Sequence, residues 1–225
     1  MLTGIGIMTR AAVAAGLLLL STSVFAGGAA TYQVTVTNLT SSINFTPILV
    51  ASHRGDVAIL ELGAPASDEL AAIAEAGNVD PLKTALESDP RVVDAQVSNG
   101  LLMPGQSVTV IVDARRGAKY ISLASMMLPT NDGFIALDSV EAPRRRAVTY
   151  YSPGYDAGSE ANDQWCMNIP GPTCGGVGPS PGDNPGDEGY VHIHRGIHDL
   201  GDLDPATYDW RNPVAKISIL RVRGD

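Results

Sequence analysis

Along most of the chain, apolar positions recur at every second residue, the period that sends alternate side chains to opposite faces of a β-strand. Residues 32–37 put Tyr32, Val34 and Val36 on one face of a half-buried strand, with Gln33, Thr35 and Thr37 on the other. Runs of the same kind at 47–51, 57–61, 92–97, 107–113, 120–128, 134–140, 147–151, 190–194 and 215–222 predict further strands. They are rich in Val, Ile, Thr and Tyr, and turn formers such as Pro104-Gly105 and Arg116-Gly117 punctuate them. The fold class this predicts is mostly β, an antiparallel β-sandwich.

Two stretches change period. Ser67 is a helix cap ahead of Asp68 and Glu69, and Leu70, Ile73 and Ala74 fall on one side before Gly77 ends the run. Asp80-Pro81 is a second start signal, with proline in the first turn and Leu82, Ala85 and Leu86 on one side. Both helices read as packing elements. From 170 to 189 the chain holds seven Gly and five Pro in twenty positions, which sustains neither strand nor helix and predicts a long loop.

The N-terminus follows a different rule. Arg10 precedes a short apolar run ending in Leu17-Leu18-Leu19-Leu20, then polar Ser21-Thr22-Ser23 and the small-residue site Val24-Phe25-Ala26. This order is that of a secretory signal peptide, residues 1–26, leaving one domain from 27 to 225. The apolar run is about half of the roughly 20 residues needed to cross a bilayer, so no transmembrane anchor is expected in the mature chain. Secreted or periplasmic localisation follows. It agrees with the only two cysteines, Cys166 and Cys174, which read as one local disulfide stapling the long loop.

Charge narrows the partners. The chain carries 15 Lys and Arg against 24 Asp and Glu, a net charge of −9. Such a balance argues against nucleic acid, whose phosphates select a basic surface, and leaves cations and basic partners open.

Two sets of residues are candidates for cation chemistry. Asp113 closes a strand, and Asp132 and Asp156 sit in turns, where sandwich loops can gather oxygens for calcium. Singly, each is also an ordinary turn former. His192 and His194 share a face of one strand and, with His53 opposite them, form an alternative copper or zinc site. The competing role for these imidazoles is hydrogen bonding to loop backbone. Catalytic constellations are poor: Gly158-Ser159-Glu160 is no nucleophile elbow, and no metalloprotease or phosphate-loop motif occurs. The expectation is a binding protein, not an enzyme.

The stretches 128–134, 137–140, 155–158 and 213–219, among them Pro129-Thr130-Asn131-Asp132-Gly133-Phe134 and Tyr155-Asp156-Ala157-Gly158, resemble the spondin domain, the N-terminal module of F-spondin and mindin. The resemblance spans 31–222, and the 190–197 segment is closer to stand-alone bacterial members. It implies a C2-like sandwich, export, and a calcium ion held by the residues matching Asp113, Asp132 and Asp156, with Glu160 and Asp163 placed to assist. It also implies adhesion or recognition of an extracellular or envelope protein or glycan.

Overall fold

A computed structural model describes residues 30–55, 57–115, 117–179 and 186–223. The predicted signal peptide lies outside the described residues. Two antiparallel sheets form a sandwich. In the four-stranded sheet β1 (Thr31–Asn38) runs between β5 (Ser107–Asp113) and β11 (Ala215–Val222), and β8 (Val148–Ser152) borders β11. The larger sheet has the order β10 (His192–Ile193), β9 (Tyr155–Asp156), β7 (Gly133–Glu141), β6 (Tyr120–Leu128), β3 (Leu49–His53), β4 (Val92–Val97), with β2 (Asn44–Phe45) also paired to β6.

The alternation of β1 is realised residue by residue: Tyr32, Val34, Val36 and Asn38 are buried and the residues between them half-buried. The central strands β6 and β7 are instead buried on both faces. Ile135 and Leu137 of β7 point into the core between the sheets, whereas Phe134 and Ala136 point to a second core on the outer face of the larger sheet. Two helices roof that second core, α1 (Asp68–Ala76) through Leu70 and Ile73, α2 (Asp80–Ser88) through Leu82 and Leu86. A third, four-residue helix, α3, spans Pro205–Tyr208. The Ser67 hydroxyl accepts a hydrogen bond from the Leu70 N–H, and Gly77 closes α1 at a φ of 64°, in the left-handed region glycine tolerates.

The expected strand at 57–61 is not one. Val57 and Ile59 are buried as the alternation requires, but their N–H groups bond the Ser139 hydroxyl and the Asp138 carboxylate instead of a neighbouring backbone. The side chains obey the period and the hydrogen bonds do not, because β7 offers side-chain acceptors there. The long loop begins with a three-ten turn at Cys166–Asn168 and is stapled by the Cys166–Cys174 disulfide. No helix among the described residues is long and apolar enough to cross a membrane.

Candidate metal centre

At the β6–β7 turn, the Thr130 hydroxyl accepts the Gly133 N–H and donates to the Met127 carbonyl, fixing residues 129–133 as a compact corner. Asp132 projects from this corner into a second turn that follows β9. Its Oδ2 accepts the N–H groups of Ser159 at 2.8 Å and Glu160 at 3.0 Å, and its carbonyl accepts the N–H of Ala157. Oδ1 is buried and has no hydrogen-bond partner among the described residues.

Asp156 lies where three strands meet, opposite Gly133 of β7 on one side and His192 of β10 on the other. Its Oδ1 accepts the Gly158 N–H and its Oδ2 accepts the Asn162 amide, both within 2.9 Å. Asp132, Asp156 and Glu160 are all essentially inaccessible to solvent. Burial, then the neighbouring Asp156 charge, push the Asp132 carboxyl well above the usual carboxylate range, against the pull of the two backbone N–H groups. Burial likewise raises Asp156. Burial therefore favours the neutral carboxyls here, and ionising them carries a cost that a bound cation would offset.

Two histidines flank Asp156, one at each oxygen. His192 Nδ1 is 3.7 Å from Oδ1, and also 3.1 Å from the Tyr190 carbonyl. His194 Nε2 is 3.8 Å from Oδ2. The Gly196 N–H donates to His194 Nδ1, so the proton of the neutral ring sits on Nε2 and faces the carboxylate. Burial depresses the His194 pKa to about 3, which keeps the ring neutral. At 3.8 Å from Asp156 this Nε2 is buried with no hydrogen-bond partner among the described residues, and in this tautomer it has no lone pair to offer a metal. The Asp156, Glu188 and His192 ligand atoms lie within 4.8 Å of one another, a mixed oxygen and nitrogen set.

Strand register divides the residues named from sequence. Asp132, Asp156, His192 and His194 converge at one end of the larger sheet. Asp113 does not join them. Its carbonyl accepts the Ser52 hydroxyl, Ser52 pairs with Ile121 near the start of β6, and Asp132 follows the far end of that strand. Seven residues of strand separate the two levels, about 23 Å at ~3.3 Å per residue. The Asp113 carboxylate instead turns back on its own loop, binding the Arg115 backbone N–H at 2.7 Å and its guanidinium. His53 is also remote: it ends β3 opposite Tyr120, and its ring bonds the Gly55 carbonyl and the Ser122 hydroxyl. A three-histidine site is therefore not formed, and His53 serves the backbone role.

Sequence reasoning missed Glu188 and Asn162. Asn162 links Glu188 to the site, its amide donating to Asp156 Oδ2 at 2.8 Å and to Glu188 Oε1 at 3.3 Å. Neither lies in a strand, so no periodicity marked them. Asp163 holds the loop, accepting from the Asn131 and Asn168 amides.

Comparison with curated proteins finds no match. The family profile described as Spondin_N matches residues 32–158, which run from β1 through the Asp132 and Asp156 turns and stop short of Glu188, His192 and His194. With more than half of its length matched, and in the order of elements described above, the chain belongs to the Spondin_N family.

Proposed function

We propose that this chain is an exported spondin-type recognition module, residues 27–225 after cleavage of the leader, which binds a calcium ion at the buried acidic end of its larger sheet. The observation that carries the reading is Asp132 Oδ1, a carboxylate oxygen buried without a hydrogen-bond partner beside two further buried acids, Asp156 and Glu160. A hard cation with oxygen ligands is the partner such a group calls for. Asp113 is replaced in the ligand set by oxygens of the 156–160 turn. The ion's work is structural: it ties the β6–β7 corner to the segment after β9 and so fixes the loops that meet a protein or glycan ligand outside the cell. Binding, not catalysis, is the activity. The disulfide supports export, because such bonds persist in oxidising compartments.

Titration calorimetry on protein stripped with chelator tests this. Calcium uptake that is lost in Asp132→Asn and kept in Asp113→Asn supports it; no uptake by the native chain overturns it.

A second reading has its own observation. The mixed Asp156, Glu188 and His192 set suits zinc or copper better than calcium, because it includes an imidazole. Elemental analysis of protein purified without added metal separates the two. Zinc or copper retained by the native chain and lost in His192→Ala favours the second.

A further inference from the structure

The net charge of −9 conceals a segregation. The end of the sandwich opposite Asp132 and Asp156 collects most of the chain's cations. Arg54 and Arg91 meet there, the Arg54 N–H bonding the Arg91 carbonyl. Arg115 and Lys119 come from the β5–β6 connection, whose Lys119 N–H bonds the His53 carbonyl and whose Lys119 carbonyl accepts the Ala142 N–H. The β7–β8 connection adds Arg144, Arg145 and Arg146, all exposed. Arg221 and Arg223 arrive at the end of β11, where Val222 pairs with Thr31. These are nine of the 15 Lys and Arg of the whole sequence. Two of the acids at this end, Asp89 and Asp113, are engaged by Arg91 and Arg115.

The cations surround a concavity. A cavity of about 360 Å³ opens there, walled by Arg115, Lys119, Arg144 and Arg221 and by one acid, Glu141, over a floor that includes Tyr32 and Ala118, so the cations outnumber the acid in its lining four to one. Arg221 Nε is buried at this wall with no hydrogen-bond partner among the described residues. The Tyr32 hydroxyl is spent on the Ala118 carbonyl, so the floor holds no free phenol.

We propose that this basic end binds an acidic polysaccharide, with one anionic sugar substituent seated in the cavity between Arg144 and Arg221 and neighbouring substituents meeting Arg145, Arg146 and Lys119. Guanidinium groups suit sulfate and carboxylate because they offer paired donors in a plane. Concavity favours a sugar's projecting substituent over a flat lipid surface. On the proposed reading that the chain is exported, nucleic acid is not among the partners at hand. The acidic end does not cancel the attraction, since charges screen over about 8 Å at physiological salt and the sandwich is longer than that.

Heparin serves as the probe, immobilised and run in chelator so that no calcium ion bridges the acidic end to its sulfates. The native chain is retained at low salt and eluted by NaCl. The Arg144→Ala/Arg146→Ala double variant elutes earlier, and the slope of log affinity against log salt falls by about one per cation removed. Lys83→Ala, on α2, elutes with the native chain. The proposal is overturned if the native chain flows through, if the folded double variant elutes unchanged, or if the protein sediments with mixed phosphatidylcholine–phosphatidylserine vesicles while ignoring heparin. Circular dichroism of the double variant verifies the fold. Calcium uptake at the other end is untouched by these substitutions, so the outcome is independent of the cation site.

Discussion

His194 holds its Nε2 3.8 Å from Asp156 Oδ2, beyond hydrogen-bond reach, while its Nδ1 accepts the Gly196 N–H. The ring is sealed against Trp210, with 4.9 Å between ring centroids. Its pKa is depressed to about 3 by burial, below the unfolded value of about 6.5. The folded protein therefore binds fewer protons than the unfolded chain between those values, and stability present above pH 6.5 is lost as pH falls through that window. The raised carboxyls of Asp132 and Asp156 act in the opposite sense, so the His194 contribution is read by urea denaturation from pH 7.5 to 4 as the difference between the native chain and a variant without the imidazole. Relative to His194→Gln, the native chain loses more stability, or gains less, as pH falls through that window, whatever the variant's stability at neutral pH.

Calcium is expected to raise the melting temperature of chelated protein, because a ligand that binds only the folded form stabilises it by mass action, about 2.7 kcal/mol at a hundredfold excess over Kd. Asp132→Asn abolishes the shift. Asp113→Asn leaves it intact, since that carboxylate is bound to Arg115 at the opposite end. A calcium-dependent shift lost in Asp113→Asn would contradict the placement of the site.

Gly158 is a sharp steric test of the same turn. Its φ is +64°, and a Cβ there would lie 2.4 Å from the Tyr190 carbonyl oxygen and 2.7 Å from the Tyr190 nitrogen, both backbone atoms that cannot rotate away. Gly158→Ala is expected to cost about 2 kcal/mol or more, from strain plus displacement of the Tyr190 backbone. Since the Gly158 N–H also bonds Asp156, cation affinity falls with it. Chemical denaturation and calorimetry read the two effects separately.

Removing the disulfide with Cys166→Ser/Cys174→Ser frees a loop closed across eight positions. Loop-closure entropy for so short a ring predicts a loss of about 2 to 3 kcal/mol, measured as a lower denaturation midpoint with unchanged slope.

Much of the sandwich was legible because burial on one face writes a period of two into the sequence. β1, β4, β5, β6 and β11 fall within a residue of the expected runs, and the Ser67 and Gly77 caps bound α1. The two-residue strands β2 and β9 carry too few positions to show a period, and the 57–61 run shows one without joining a ladder. The site was half legible. Asp132 and Asp156 stand in turns that pack on each other, but Asp113 looked equivalent because a carboxylate at a strand's end does not declare which end of the sandwich it occupies. Only the antiparallel register decides that. The same holds for His53, whose buried ring is consumed by Gly55 and Ser122. Segregation of the cations was hidden for a related reason, since net charge sums over a surface whose two ends differ.

The ladder that brings His192 to Asp156 contains two residue pairs, and it joins segments thirty-six positions apart. Its neighbour on the other side, β7 with β9, also has two. So little pairing, at the margin of a sheet whose centre is roofed and tightly filled, makes local opening at this corner cost less free energy than at the sheet's centre. Amide protons of Tyr155, Asp156 and Ile193 should then exchange with deuterium well before those of Leu123 or Ile135. The corner that gathers the acids is thereby a hinged margin on a rigid plate, and whatever fastens it governs how long the plate's rim stays shut.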